Sequence, residues 1–261
     1  MNPIDRKFKE LKKLKRKAFI AFITGGDPTL AATKELILNF QDRGVDLIEI
    51  GIPFSDPIAD GPTIQAASER ALKNKTTLHS IIKTVSSVKN RVKVPLVFMT
   101  YYNPVFNYGL ERFVKDSKNA GISGVIIPDM PYEESSDLLK AARGKNFAVI
   151  FLAAPTSTKE RLTRICKLSK GFIYFVSLTG VTGTRRDLPE DLVANVRKIK
   201  NLTHKPVCVG FGVTTPEQAK RIKRIADGVI VGSAIVKLVG KKDLKNVYSF
   251  IKKLERAIHE N

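Results

Sequence analysis

Two carboxylates in one stretch have the right types and spacing for proton chemistry. Glu49 sits in the middle of the apolar run Leu47-Ile48-Glu49-Ile50, and Asp60 follows in the Gly/Pro-rich segment Ser55-Asp56-Pro57-Ile58-Ala59-Asp60-Gly61-Pro62. An ionised carboxylate among Ile and Leu loses water that its neighbours cannot replace, so it must be paired, protonated or functional. No lysine or arginine lies within any expected strand, which removes the obvious ion-pair partner for Glu49. Such an acid has a raised pKa suited to proton transfer, whereas Asp60 alone could equally be an Asp-Gly turn residue.

Other chemistries find little support. The two cysteines, Cys166 and Cys208, form no spaced motif, and the histidines His79, His204 and His259 are scattered. A cysteine zinc site or a histidine metal triad is therefore not expected. No strand carries an internal lysine for a Schiff base, and no cluster of Asp, Glu and His falls at strand ends. The expectation is acid–base catalysis by Glu49 and Asp60, with no metal and no cofactor.

The elements that must position these acids repeat eight times. Short Val/Ile/Phe-rich strands are expected at 19–24, 47–50, 96–100, 124–128, 148–153, 172–177, 206–210 and 228–231. Amphipathic helices alternate with them at 30–43, 78–90, 110–120, 133–143, 159–168, 188–199, 216–225 and 244–258. Apolar strands alternating with helices mean a parallel sheet covered by helices, and eight units in 261 residues point to an α/β protein, a (β/α)₈ TIM barrel. A doubly wound sheet is the alternative, but no Gly-x-Gly-x-x-Gly follows the first strand. An N-terminal segment, 5–16, would cap the barrel bottom, and extra helices are expected at 62–73 and 234–239, after strands two and eight. One domain, 1–261, is expected.

Three glycine-bearing loops come late in the chain: Gly180-Val181-Thr182-Gly183-Thr184, Gly210-Phe211-Gly212 and Gly232-Ser233-Ala234-Ile235-Val236. Glycines let backbone N–H groups approach an anion, and the start of a short helix adds donors and a positive dipole end. Loops after strands seven and eight are where phosphate-binding barrels hold phosphate.

Forty-five Lys+Arg against 25 Asp+Glu give a formal charge of +20. The basic residues fall on outward helix faces rather than in a patch. A solvated surface that also draws in anionic small molecules is expected, rather than a nucleic-acid interface. No stretch has the length of a membrane span and no leader pattern is evident, so the expected location is cytoplasmic.

The loops resemble those of one family, the tryptophan synthase α subunit. The resemblance is carried by Leu47 to Pro62, Phe22-Ile23-Thr24-Gly25-Gly26-Asp27-Pro28, Tyr101-Tyr102-Asn103-Pro104, Pro128-Asp129-Met130-Pro131, Thr179-Gly180-Val181-Thr182-Gly183 and Gly210-Phe211-Gly212-Val213. It implies cofactor-free retro-aldol cleavage of indole-3-glycerol phosphate to indole and glyceraldehyde 3-phosphate. It further implies that Glu49 handles protons at the indole carbon and glycerol hydroxyl, that Asp60 holds the indole N–H, and that Tyr174 is the active-site tyrosine. Phe22, Met99 and Phe211 would line the indole pocket. Gly183, Gly212, Gly232 and Ser233 would bind phosphate, and Thr182 would close over the site.

The implied partner is a pyridoxal-phosphate β subunit in an αββα assembly, receiving indole through a tunnel. Pro53, Asp56, Pro57, Asn103, Pro104, Asp129 and Pro131 would meet it. The net charge is more basic than this family leads one to expect. Two competing readings are a catalytically weak α chain that mainly activates its partner, and another phosphosugar barrel such as an isomerase or epimerase.

Overall fold

In the computed structural model, which describes residues 1–176, 188–210 and 212–260, parallel strands form a ring with helices outside it. The strands are β1 (Ala18–Thr24), β2 (Leu47–Gly51), β3 (Leu96–Met99), β4 (Ile122–Ile126), β5 (Ala148–Ile150), β6 (Leu152–Ala153), β7 (Ile173–Val176), β8 (Val207–Gly210) and β9 (Gly228–Val231). Their spatial order is β5-β4-β3-β2-β1-β9-β8-β7-β6, all pairings being parallel. The nine pieces are eight barrel strands, because β5 and β6 are two halves of the expected fifth strand.

Phe151 separates the halves. Its N–H is taken by the Ser169 hydroxyl at 3.1 Å instead of the ladder, while its carbonyl accepts the N–H of Tyr174 at 3.3 Å. One half therefore pairs with β4 and the other with β7, and the ring closes through Phe151. Every strand is buried over nearly its whole length, as expected for a parallel sheet filled inside and covered outside.

The helices are α1 (Pro3–Lys13), α2 (Leu30–Asp42), α3 (Pro62–Lys73), α4 (Leu78–Ser86), α5 (Tyr102–Tyr108), α6 (Leu110–Asn119), α7 (Ser136–Ala142), α8 (Lys159–Leu168), α9 (Glu190–Lys200), α10 (Pro216–Ile222), α11 (Ser233–Gly240) and α12 (Leu244–His259). Two corrections concern helix ends. The segment expected at 78–90 stops at Ser86 and resumes as a 3₁₀ turn, Lys89–Arg91, and the segment at 133–143 opens with a 3₁₀ turn, Tyr132–Glu134. A third concerns α5, since the Tyr102–Pro104 stretch was expected as loop. Pro104 falls in the first turn, where its missing N–H costs nothing. Asp129 caps that turn from a distant loop, its carboxylate accepting the Tyr102 N–H at 2.9 and 3.2 Å.

The inside of the barrel is filled by Ile20, Leu47, Val97, Ile126, Ile150, Phe172, Tyr174, Cys208 and Ile230. Ile4, Phe8 and Leu11 of α1 close it from below. Asn2 holds that plug in place by capping Ile4 N–H and donating to the carbonyls of Ser123 and Asn146. With the bottom sealed, access to the interior is from the carboxyl ends of the strands. No described helix is long and apolar enough to cross a membrane.

The C-terminal helix is fastened at that sealed end. His259 Nε2 lies 2.8 Å from Asp46 Oδ2, the same oxygen that accepts the Phe19 N–H, and Nδ1 lies 3.3 Å from Glu255. Burial would lower the imidazole pKa, but the hydrogen bonds and charges of Asp46 and Glu255 outweigh it and raise the value above 6.5. A raised folded-state value gives stability that is complete below 6.5 and lost as pH rises through the folded value. His259→Ala should therefore cost about 1–2 kcal/mol at pH 6 and less at pH 9, as urea unfolding at the two pH values would read.

Candidate active site

A cleft opens at the carboxyl ends of β1, β2 and β3. Phe22, Thr24, Gly51, Ile52, Asp60, Ile64, Ser68, Met99, Thr100, Tyr101 and Pro128 line it. Its apolar wall is Phe22 and Met99, joined by Ile64, Ala67 and Val236 from α3 and α11. Gly51 makes the close approach possible: a Cβ there would lie 2.5 Å from the Phe22 ring. Apolar walls with a few polar groups among them are the makeup of a small-molecule site.

Glu49 lies in the barrel beneath this cleft, level with Phe22 in the β1–β2 ladder. It is 0% exposed, and neither carboxylate oxygen has a hydrogen-bond partner among the described residues. Desolvation raises its pKa to about 8. The group is thus protonated at neutral pH but close enough to ionisation to exchange a proton in either direction.

Asp60 reaches the cleft from the loop between β2 and α3 and is half-buried. Burial raises its pKa above 3.8, and interaction with the Tyr101 hydroxyl pulls the other way. Tyr101 also accepts the Ala59 N–H at 2.9 Å, and its ring lies 5.3 Å from Phe54. It therefore ties the loop that carries Asp60 to the end of β3. Tyr101 lies in the Tyr101-Tyr102-Asn103-Pro104 motif, but this role has no local signal there, because its contacts are with residues some forty positions away.

Tyr174 projects into the barrel from β7. Burial first, and then the charges of Glu49, Cys208 and Asp60, keep its phenol well above 10 and neutral. The Tyr174 phenol is thus within electrostatic reach of both the Glu49 and Asp60 carboxyls. Gly210 accommodates the phenol, since a Cβ there would come within 2.6 Å of its hydroxyl.

Of the expected phosphate ligands, Gly232 and Ser233 stand at the start of α11, whose N-cap residue Gly232 has no side chain to cap it, and Gly212 has φ +74° after β8. Thr182, Gly183 and Phe211 lie outside the described residues. Among the expected partner contacts, Asp56, Asn103 and Asp129 are exposed, Pro57, Pro104 and Pro131 are half-buried, and Pro53 is buried. Near them Ile58 and Phe106 leave large apolar side chains 84% and 62% exposed. His204 is exposed just before β8, at the far end from the cleft. No group of three or more His, Cys, Asp or Glu among the described residues could hold a metal ion.

Sequence reading also passed over Arg70. Its guanidinium grips Asp27, which is 1% exposed, through two 2.8 Å hydrogen bonds. A Cβ on Gly240 would meet the same guanidinium at 2.7 Å. The pair thereby joins the loop after β1 to α3, whose start follows Asp60, and to the end of α11. Arg70→Ala should leave the Asp27 carboxylate buried without its cation and cost about 2–3 kcal/mol, read as a lower urea midpoint at unchanged slope.

A closed (β/α)₈ barrel with a desolvated acid under a cleft at its carboxyl face defines the class of this protein. The family profile described as tryptophan synthase alpha chain matches residues 8–260. The tryptophan synthase alpha chain of Thermoanaerobacter sp. (strain X514) is 46% identical, over 99% of this chain and 100% of its own length. That of Geotalea daltonii is 50% identical over 91% and 90% respectively. Among solved structures, tryptophan synthase from Mycobacterium tuberculosis in space group F222 has a chain with TM-score 0.92 and 34% identity, covering 99% of this chain and 98% of that one. The tryptophan synthase alpha chain from Legionella pneumophila subsp. pneumophila aligns with TM-score 0.90 and 32% identity, covering 99% and 97%. The chain belongs to the tryptophan synthase alpha chain family.

Proposed function

We propose that this chain cleaves indole-3-glycerol phosphate to indole and glyceraldehyde 3-phosphate. The observation that carries the reading is Glu49, a fully buried carboxyl with no described partner and a pKa of about 8, under the cleft that Asp60 lines. In its protonated form Glu49 gives a proton to the ring carbon that bears the glycerol chain. The resulting carboxylate takes the proton of the adjacent hydroxyl as the carbon–carbon bond breaks. The bonding electrons restore the aromatic ring, and the carbinol carbon leaves as an aldehyde.

One proton enters and one leaves, so the step needs no oxidant, and this chain's own residues supply the acid–base chemistry. The Asp60 carboxylate accepts the ring N–H and stabilises the positive charge that builds there. Tyr174, neutral throughout, fills the site's floor beside Glu49. Phe22, Met99 and Phe211 hold the ring, while the starts of α11 and the Gly212 loop take the phosphate, together with Gly183, and Thr182 closes the loop.

The chain acts as one domain, without a cofactor of its own, in the cytoplasm. Its partner is a β subunit carrying pyridoxal phosphate, in an αββα assembly that passes indole between sites. Ile58 and Phe106, exposed beside Pro53, Asp56, Pro57, Asn103, Pro104, Asp129 and Pro131, support a docking role for this rim. The test is to incubate the chain, alone and with a tryptophan synthase β subunit, with indole-3-glycerol phosphate and to measure indole and triose phosphate. Equal amounts of both products, increased by the β subunit, are expected. No indole in either sample would overturn the reading.

A further inference from the structure

Thr24 ends β1 and lines the cleft, and it is 3% exposed. Its hydroxyl is shielded from solvent yet has no hydrogen-bond partner among the described residues. A buried hydroxyl without a partner destabilises the fold, and a valine of the same shape would fill the position without that cost. Its retention inside a binding cleft points to a partner that arrives with the ligand.

The strand order says which part of the ligand that is. β1 lies between β2, which carries Glu49 and leads to Asp60, and β9, which leads to Gly232 and the start of α11. Phe22 is level with Glu49 in the ladder and Thr24 is level with Gly51, one step nearer the mouth. A ligand with its ring at the acids and its phosphate at α11 would carry its connecting chain across the end of β1.

Resting on the cleavage reading above, the distribution of polar groups in indole-3-glycerol phosphate narrows the choice. The ring N–H faces Asp60, the carbinol hydroxyl faces Glu49, and the phosphate faces α11 and the Gly212 loop. One group is left over, the hydroxyl on the middle carbon of the glycerol chain. We infer that the Thr24 hydroxyl binds this middle hydroxyl, fixing the chain so that the bond to be broken is held over Glu49. An incoming hydroxyl can donate to Oγ1 or accept from it, so the pair satisfies itself without any charged group.

The experiment uses Thr24→Val, which keeps the shape and removes the hydroxyl, and Thr24→Ser, which keeps the hydroxyl. Indole release from indole-3-glycerol phosphate is followed for both and for the unsubstituted chain. Calorimetric binding is measured for indole-3-propyl phosphate, an analogue with neither chain hydroxyl. Thr24→Val should lose about tenfold in kcat/KM, the effect of one neutral hydrogen bond, with Thr24→Ser near the unsubstituted value. All three should bind the analogue equally, and Thr24→Val should melt no lower than the unsubstituted chain.

Unchanged kcat/KM in Thr24→Val would overturn the contact. So would an equal loss of affinity for the analogue, which would show that Thr24 shapes the cleft rather than reading a hydroxyl. If the unsubstituted chain releases no indole, the cleavage reading itself falls and this proposal with it, an outcome distinct from the other two.

Discussion

Glu49→Gln should abolish indole release, lowering kcat by about a thousandfold or more, because it removes the group that both gives and takes the proton. The substitution keeps size and shape, so binding of an indole-containing phosphate should persist within a few-fold. A variant that still turns over at a tenth of the normal rate would refute the assignment. The same substitution has a signature in stability. Glu49 is raised to about 8 in the fold, against 4.5 as its unperturbed value. Between those values the folded chain holds a proton that the unfolded chain has lost, so stability falls as pH rises from about 4.5 to about 8. Glu49→Gln removes that slope. The variant should match the unsubstituted chain near pH 4.5 and become the more stable of the two above pH 8. The catalytic profile should follow the same group, with kcat/KM declining above about pH 8 as the proton donor ionises.

Asp60→Asn is expected to lower kcat by about a hundredfold or more, in the range seen when a fixed electrostatic partner of the transition state is lost. The carboxylate that Asp60 presents is held by a loop that Tyr101 ties to β3, so little reorganisation is needed as charge develops on the ring nitrogen. The amide keeps the shape but cannot balance that charge. KM should change far less than kcat, since the neutral substrate ring gains little from the anion. Stopped assays at saturating substrate separate the two, and an Asn variant with nearly full kcat would remove Asp60 from the chemistry. Burial raises the pKa of Asp60, so its contribution should fade on the acid side at a higher pH than an exposed aspartate would give.

Much of this architecture could be read along the chain. Each barrel strand was visible as a short apolar run, because a strand buried on both faces leaves no room for alternation. Glu49 stood out for the same reason, being the one carboxylate in such a run. Boundaries were less legible. β4 begins at Ile122 rather than at 124, and the segment expected at 78–90 stops short, since the final turns depend on what packs beneath them.

What the sequence by itself determined was the eightfold alternation, the acid in the second strand and the glycines of the late loops. These follow from composition and spacing within a few residues of each other. Tertiary structure alone decided how the ring closes, because Phe151 gives its N–H to Ser169 and thereby divides one strand between two neighbours. It decided that Tyr102–Tyr108 is a helix, because the carboxylate that caps it belongs to Asp129. It joined Tyr101 to the Asp60 loop, Arg70 to Asp27, and left the Thr24 hydroxyl buried without a partner among the described residues. Such pairings carry no local signal, because hydrogen bonding depends on distance in space and these partners meet only once the barrel has closed.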